Sequence, residues 1–407
     1  MKCGLLGRRL CHSYSPQIHS RLGTYSYSLF EKEPEELEHF LNNGEFDGLN
    51  VTIPYKKDVI SYLSELSPVA RRLGAVNTIV RRNGRLIGHN TDYFGFRSMI
   101  DRTGLNVRNK KVLILGSGGA SNTAVAVLEE LGALPVVISR SGENNYQNLL
   151  LHADAAVIVN ATPVGMYPNV GISPIDQSLF PHLEGVLDIV YNPARTQLLL
   201  DAESRGIVTM NGLWMLVAQA KESAEWFTGS PISNDVIGTI HHALRLQMEN
   251  IILIGMPGSG KSTVGRLLAQ QLGKTFVDAD AAIEEKAGMP IPEIFSTQGE
   301  AGFRSIETAV LQELGKASGL VIATGGGCVT REENYPLLHQ NGTIFCLDRD
   351  IRSLPTHGRP LSQAGKLEEM YLIRKPMYDR FADHHIDCND APQAVAAKIQ
   401  KILEELP

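Results

Sequence analysis

The sequence predicts an α/β protein with mainly parallel sheets, arranged as two successive parts. Three observations predict it. Apolar runs of strand length alternate with amphipathic helical patterns along all 407 residues. Two of these runs, Val112-Leu113-Ile114-Leu115 and Ile251-Ile252-Leu253-Ile254, break into glycines and then into a helical pattern, the arrangement that offers a helix N-terminus to an anion at the edge of a parallel sheet. At about 100–200 residues per domain, the length allows two or three domains, each with its own core.

Composition narrows the class. Hydrophobic residues make up 43% and charged residues 20%, as in ordinary soluble chains. No apolar run approaches the ~20 residues of a membrane span. The opening Met1-Lys2-Cys3-Gly4-Leu5-Leu6-Gly7 meets Arg8 and Arg9 too soon to be a signal segment, so a cytoplasmic location is expected, with no membrane partner. The net charge is −6 and no block of Lys and Arg stands out, which argues against a nucleic-acid partner but allows small anions in local basic pockets. Five cysteines without a C-x-x-C pair argue against a disulfide framework or a zinc site and read as reduced bystanders. Nothing in the chain sets an oligomeric state.

Taken in order, residues 2 to 7 form a buried strand, and Ser13-Tyr14-Ser15-Pro16 starts a short helix into Leu22. The two hydroxyls just past a strand end suit a carboxylate ligand, although Ser-Pro is also ordinary turn chemistry. Gly48-Leu49-Asn50-Val51-Thr52-Ile53-Pro54-Tyr55-Lys56 is a strand stopped by proline, with a lysine beyond it. Lys56 becomes an acid/base candidate once a carboxylate and a cleft are found for it. Asn83-Gly84 marks a hairpin. Asp92, in Gly88-His89-Asn90-Thr91-Asp92, ends a strand before a helix beginning at Tyr93 and reads by itself as an N-cap.

The first glycine turn, Gly116-Ser117-Gly118-Gly119-Ala120-Ser121, fits the dinucleotide fingerprint only loosely. The next strand runs through Ser139 into Arg140 and Ser141, with no carboxylate to take a ribose 2′-OH. An arginine there favours a 2′-phosphate, hence NADP.

With Asn160-Ala161-Thr162-Pro163-x-Gly165, Asp188-Ile189-Val190-Tyr191-Asn192-Pro193 and Gly212-Leu213-x-Met215-Leu216-Val217-x-Gln219, these motifs resemble shikimate dehydrogenase over nearly all of residues 2 to 248. The resemblance implies a two-lobed fold. Residues 1–96 with 211–248 would form the substrate lobe, and 97–210 a Rossmann-like NADP lobe. It implies NADPH-dependent reduction of 3-dehydroshikimate to shikimate. Ser13 and Ser15 would hold the substrate carboxylate, Thr52, Asn77, Asp92, Tyr191 and Gln219 would contact the ring, and Lys56 paired with Asp92 would pass the proton. Gly116, Gly118, Gly119, Ala120, Ser139, Arg140, Ser141, Thr162, Gly212 and Met215 would hold the cofactor. The stretch between Arg140 and Asn160 is short for this family, so the nucleotide lobe is expected to be trimmed.

The second glycine turn, Gly255-Met256-Pro257-Gly258-Ser259-Gly260-Lys261-Ser262-Thr263, satisfies G-x-x-x-x-G-K-[ST] between a strand and a helix. Backbone N–H groups turned inward would cradle phosphates, Lys261 would reach the outer ones, and Ser262 would ligate Mg²⁺. Phe276-Val277-Asp278-Ala279-Asp280 reads as a strand end with both carboxylates on one face. With Gly299-Glu300-x-x-Phe303-Arg304-x-x-Glu307, Gly325-Gly326-Gly327, Arg359-Pro360-Leu361 and Arg374-x-Pro376-x-Tyr378, residues from about 250 to 405 resemble shikimate kinase. That implies a P-loop, NMP-kinase-like domain over 249–407 that phosphorylates shikimate with ATP. Asp278 would place Mg²⁺, Asp280 would hold ring hydroxyls and draw a proton, and Arg304 and Arg374 would clamp the carboxylate. Gly325 to Gly327 would line the ring, Arg359 would descend on a lid, and Arg352 with Pro392 would flank adenine. The alternative is a working kinase attached to a catalytically silent, shikimate-binding dehydrogenase-like module.

Overall fold

The apolar runs become the central strands of three sheets, and burial on both faces explains why they read as continuous rather than alternating. The computed structural model describes residues 1–10, 13–354 and 364–406. Contacts divide the chain into two units: Met1–Val164 with Ser173–Tyr191 and Asp201–Ala243, and Gly165–Ile172 with Asn192–Leu200 and Leu244–Pro407.

The first unit holds two sheets. One contains β1 (Lys2–Gly7), β2 (Ser26–Glu31), β3 (Gly48–Val51), β4 (Glu65–Leu66), β5 (Thr78–Arg82) and β6 (Arg85–His89), in the order β2-β1-β3-β5-β6-β4. β5 and β6 are the hairpin expected at Asn83-Gly84, where φ angles of 51° and 75° supply the primed turn that matches strand twist. Leu6, Leu49, Val51 and Ile79 of this sheet pack with Leu37 and Leu41 of the helix Leu37–Asn43. The other sheet contains β7 (Lys111–Leu115), β8 (Leu134–Ile138), β9 (Val157–Asn160), β10 (Gly185–Asp188) and β11 (Val208–Met210), in the order β11-β10-β9-β7-β8 and parallel throughout. Between β8 and β9 the connection makes the isolated bridge Ser139–Asn145 and the 3₁₀ turn Leu149–His152, and residues 139–156 contain no α-helix. The helices Asp92–Thr103 and Gly119–Glu130 share the core of this sheet through Phe96, Met99, Val127 and Leu128.

The second unit holds β12 (Asn250–Ile254), β13 (Thr275–Asp278), β14 (Leu320–Ala323), β15 (Gly342–Asp348) and β16 (His384–Asp387), parallel and ordered β13-β14-β12-β15-β16. β12 is central. Its Ile251 and Leu253 face Val264 and Leu268 of the helix Lys261–Leu272 and Ile399 of the helix Pro392–Glu405, while Ile252 and Ile254 face Leu311, Leu338 and Phe381. Truncating Leu253, which is fully buried, would cost about 2–5 kcal/mol. From β12 the chain passes to β13 and β14 on one side and then crosses to β15 and β16 on the other, so the glycine turn at the carboxyl end of β12 opens at a switch point of the sheet, where α/β folds bind ligands. Among the described residues, no helix is long and apolar enough to cross a membrane.

Candidate active sites

At the carboxyl end of β3 the chain bends through Thr52 and brings Lys56 back over the sheet. Its Nζ donates a 2.6 Å hydrogen bond to Oδ2 of Asp92, and the two side chains are 31% and 16% exposed, open to a small molecule but not to bulk water on every side. The N-cap expected at Asp92 lies one residue earlier: Thr91 is the N-cap, and Asp92 is the first helical residue, its N–H bonded to Oδ1 of Asn90. The Asp92 carboxylate is thereby free of capping duty and turned toward Lys56.

Below this pair runs a buried polar network. Oδ1 of Asn77 accepts from the Thr91 backbone at 2.7 Å, and the Thr91 hydroxyl reaches Oε1 of Gln219 at 3.3 Å. Ser223 is its hub: Asn50 Nδ2 donates to its hydroxyl at 2.7 Å, and the hydroxyls of Thr78 and Thr91 lie at 2.9 and 3.0 Å. Tyr27 donates to Oδ1 of Asn50 at 2.7 Å and also bonds the Ser15 side chain. Ser15, Asn77 and Gln219 are therefore joined through residues that the sequence reading gave no role. Ser13 turns its hydroxyl to the Ser15 N–H at 3.2 Å. The Tyr191 ring stands edge-on to Tyr14 at 6.3 Å, and burial holds its phenol above the usual range. His19, stacked 4.0 Å from Tyr27, has its pKa lowered to about 3 by burial and so supports the network as a neutral ring.

In the other lobe of this unit, Gly116 has φ 104°, and a Cβ there would press on Thr162 and the Ala161 carbonyl. Gly118 caps the helix that starts at Gly119 and Ala120, and a Cβ on Gly118 or Gly119 would meet open space, so the helix N-terminus is unobstructed. Thr162 is locked by its hydroxyl to Oδ1 of Asn160 at 2.6 Å. Arg140 and Ser141 are exposed just past β8, and Ser139 is half-buried beside them. Burial raises the Tyr146 phenol above its usual range, and the Arg140 charge opposes the shift. Gly212 packs so closely on the Ile189 carbonyl that no side chain fits, and Met215, at 7% exposure, lies in the core.

In the second unit, Gly255, Gly258 and Gly260 all have positive φ (137°, 87° and 103°), and the helix starts at Lys261. Lys261 is buried and donates to the carbonyls of Gly255 and Met256 at 2.8 and 3.0 Å, folded across its own loop. Ser262 donates to Oδ2 of Asp278 at 2.7 Å, the pairing from which a Mg²⁺ site could be built. The expected strand alternation of Asp278 and Asp280 does not occur. β13 ends at Asp278, whose carboxylate caps the Asp280 N–H at 3.1 Å, so Asp280 sits in the first turn of the helix Ala279–Ala287. Both carboxylates nevertheless border one cavity of about 1010 Å³, together with Gly258, Gly260, Lys261, Ser262, Thr263 and Gly326. Burial, then the Asp278 charge, raises the Asp280 carboxyl above its usual range, and Lys261 and Arg304 oppose the shift.

The glycine triplet is explained by contact: a Cβ on Gly325 would meet Asp280, one on Gly326 would meet Pro257, and one on Gly327 would meet Arg304. Arg374 donates to the Gly326 carbonyl at 3.1 Å. Ser259 keeps a buried hydroxyl without a partner, as does the Nε of Arg349, a cavity-lining residue that the sequence reading missed. Arg352 and Pro392 do not border this cavity; their segments are joined by the Asp350 N–H bonded to Asn389 at 3.1 Å. Arg359 lies outside the described residues.

Comparison with known proteins decides the lineage. Residues 5–79 match the shikimate dehydrogenase substrate-binding domain and residues 257–404 match shikimate kinase. A shikimate dehydrogenase (NADP(+)) from Clostridium perfringens is 33% identical over 264 residues, covering 60% of this chain and 97% of that protein. The chain belongs to the shikimate dehydrogenase family. The crystal structure of shikimate dehydrogenase 1 from Peptoclostridium difficile matches with 40% identity and a TM-score of 0.55, over 60% of this chain and 98% of that one. The dehydrogenase from Thermus thermophilus, solved with NADP(H) and shikimate, matches at 30% identity and TM-score 0.55, over 60% and 99%. The chain is thus an enzyme that carries a shikimate kinase domain behind a dehydrogenase of this family. Two residues of its candidate sites carried a faint signal: Asn50 and Glu307 stand inside the quoted motifs. Ser223, Tyr27 and His19 stand in none.

Proposed function

We propose that this enzyme reduces 3-dehydroshikimate to shikimate with NADPH and then phosphorylates shikimate with ATP. The observation that carries the first step is the Lys56–Asp92 pair, 2.6 Å apart at the mouth of the buried network. NADPH would supply the hydride. As a ketone carbon accepts it, charge gathers on oxygen, and Lys56 is placed to neutralise and protonate that oxygen while Asp92 holds the ammonium in place. Ser13 and Ser15 would take the substrate carboxylate, with Thr52, Asn77, Tyr191 and Gln219 around the ring. Gly116 to Ala120, Thr162, Gly212 and Met215 would seat the cofactor, and Ser139, Arg140 and Ser141 its 2′-phosphate.

For the second step, phosphoryl transfer needs positioning and charge neutralisation more than covalent chemistry. Lys261 and the glycine turn would hold the ATP phosphates, Ser262 and Asp278 would hold Mg²⁺, and Asp280 would accept the proton of the attacking hydroxyl. Arg304 and Arg374 would fix the shikimate carboxylate. The observation on the side of a silent first half is the short connection between β8 and β9, which contains no α-helix. One assay separates the readings: loss of NADPH absorbance on adding 3-dehydroshikimate, followed by ATP-dependent formation of shikimate 3-phosphate. Phosphorylation of added shikimate without any NADPH oxidation would favour the silent module.

A further inference from the structure

We propose that Cys346, Asp348 and His385 form a binding site for a divalent transition metal of the zinc class. Cys346 and Asp348 are two apart on β15 and share a face, and the strand register places His385 of the edge strand β16 beside Cys346. One ligand atom from each lies within 4.8 Å of the others. The Cys346 sulfur is 3.5 Å from Oδ1 of Asp348, and Nδ1 of His385 is 2.8 Å from its Oδ2. Around tetrahedral zinc, bonds of about 2.0–2.3 Å set neighbouring ligands roughly 3.3–3.5 Å apart, so side-chain rotation alone brings these three to an ion.

The surroundings suit that ion. Nε2 of His385 faces Oδ1 of Asp379 at 3.5 Å, and Lys375 grips Asp379 at 2.8 Å. A carboxylate behind the imidazole keeps the proton on Nε2 and aims the Nδ1 lone pair at a metal. Thiolate and carboxylate together balance a double positive charge, and one sulfur with one imidazole selects zinc over magnesium or calcium. Cys346 is 1% exposed, whereas the Asp348 and His385 side chains are 45% and 39% exposed, leaving the fourth position to water on the solvent side. The metal takes the place of the thiol proton, which is released to solvent. The absence of a C-x-x-C pair does not bear on this site, because its ligands come from two neighbouring strands rather than one loop.

Cobalt(II) chloride, added to the full chain after chelator treatment and without nucleotide, tests this. One equivalent should give the near-ultraviolet sulfur-to-cobalt absorption, and zinc chloride should abolish it. Cys346→Ala, Cys346→Ser and His385→Ala should lose the band. Cys388→Ala should keep it, since that sulfur lies in the apolar core, hydrogen-bonds to the carbonyls of Ser259 and Asp348, and is not one of the three clustered ligands. Asp379→Asn should bind cobalt about 10-fold or more weakly. A wild-type protein shown folded by circular dichroism that gives no band, or a band that survives both Cys346 variants, overturns the site and leaves Cys346, Asp348 and His385 as a hydrogen-bond chain only.

Discussion

Nη1 of Arg304 donates a 2.7 Å hydrogen bond to Oε2 of Glu307, one helical turn further on, and the two side chains are only 10% and 1% exposed. The guanidinium proposed to hold the shikimate carboxylate therefore already neutralises a buried one, whose pKa burial pushes up and Arg304 pulls back. Removing the arginine alone would leave that charge unpaired, at a cost of about 3–5 kcal/mol. Arg304→Ala should accordingly unfold at lower denaturant. The double variant Arg304→Ala/Glu307→Gln should regain much of that stability yet still require far more shikimate, with ATP binding little changed. Recovery of shikimate affinity in the double variant would remove Arg304 from the substrate.

Lys56→Met should lower reduction by about 10²–10⁴-fold and leave NADPH binding nearly intact, because the role proposed for the lysine is on the ketone and not on the cofactor. Asp92→Asn should impair turnover too, since it loosens the 2.6 Å contact that orients the ammonium. Near-normal turnover in Lys56→Met would pass the proton to another group, with Tyr191 the next candidate.

What was legible in the sequence was whatever the backbone itself demands. Gly255, Gly258 and Gly260 announce positive φ, and Gly325 to Gly327 announce close neighbours, because no other residue fits. The strands that run into the glycine turns were legible from their apolar runs. Ser223 was not, since its partners Asn50, Thr78 and Thr91 come together only when β3, β5 and the helix Leu213–Thr228 pack. Asp280 was placed on the wrong kind of element because an Asp at position 278 can extend a strand or cap a helix, and here the cap wins.

Arg140 stands exposed beyond β8 with Ser139 and Ser141 beside it and no carboxylate in the run. A charged contact to the 2′-phosphate contributes on the order of 1.5–3 kcal/mol. Arg140→Ala should thus weaken NADPH binding roughly 10- to 100-fold and NADH binding much less. Equal losses for both, measured by fluorescence titration, would sink the assignment.

The role proposed for Asp280 would link catalysis to stability. Burial and Asp278 raise its carboxyl above the unfolded value, so its contribution to stability is complete below the unfolded pKa and is lost as pH rises through the folded one. Asparagine has no charge to bury. Asp280→Asn should melt higher than wild type at neutral pH, with the gap closing as pH falls toward about 4, while phosphorylation drops about 10²–10⁴-fold. A pH-independent gap, or unchanged transfer, would contradict the role.

Lys261→Ala should remove phosphorylation and spare reduction. Each proposed activity draws on its own groups: Lys56, Asp92 and the Gly116 turn lie on elements of the first unit, whereas Lys261, Ser262, Asp278 and Asp280 lie around β12 and β13. The lysine contacts the carbonyls of its own loop at 2.8 and 3.0 Å, so its loss should fall on the phosphate cradle. Given 3-dehydroshikimate, NADPH and ATP, the variant should accumulate free shikimate at the wild-type rate of NADPH oxidation. A large drop in that rate, with the fold intact by circular dichroism, would show that the two activities are coupled. Labelled shikimate supplies the second measurement. Added to wild type during turnover from unlabelled 3-dehydroshikimate, it should enter shikimate 3-phosphate in proportion to its share of the free pool, because passage through solvent mixes the two sources. Exclusion of the label from the product would contradict independent sites.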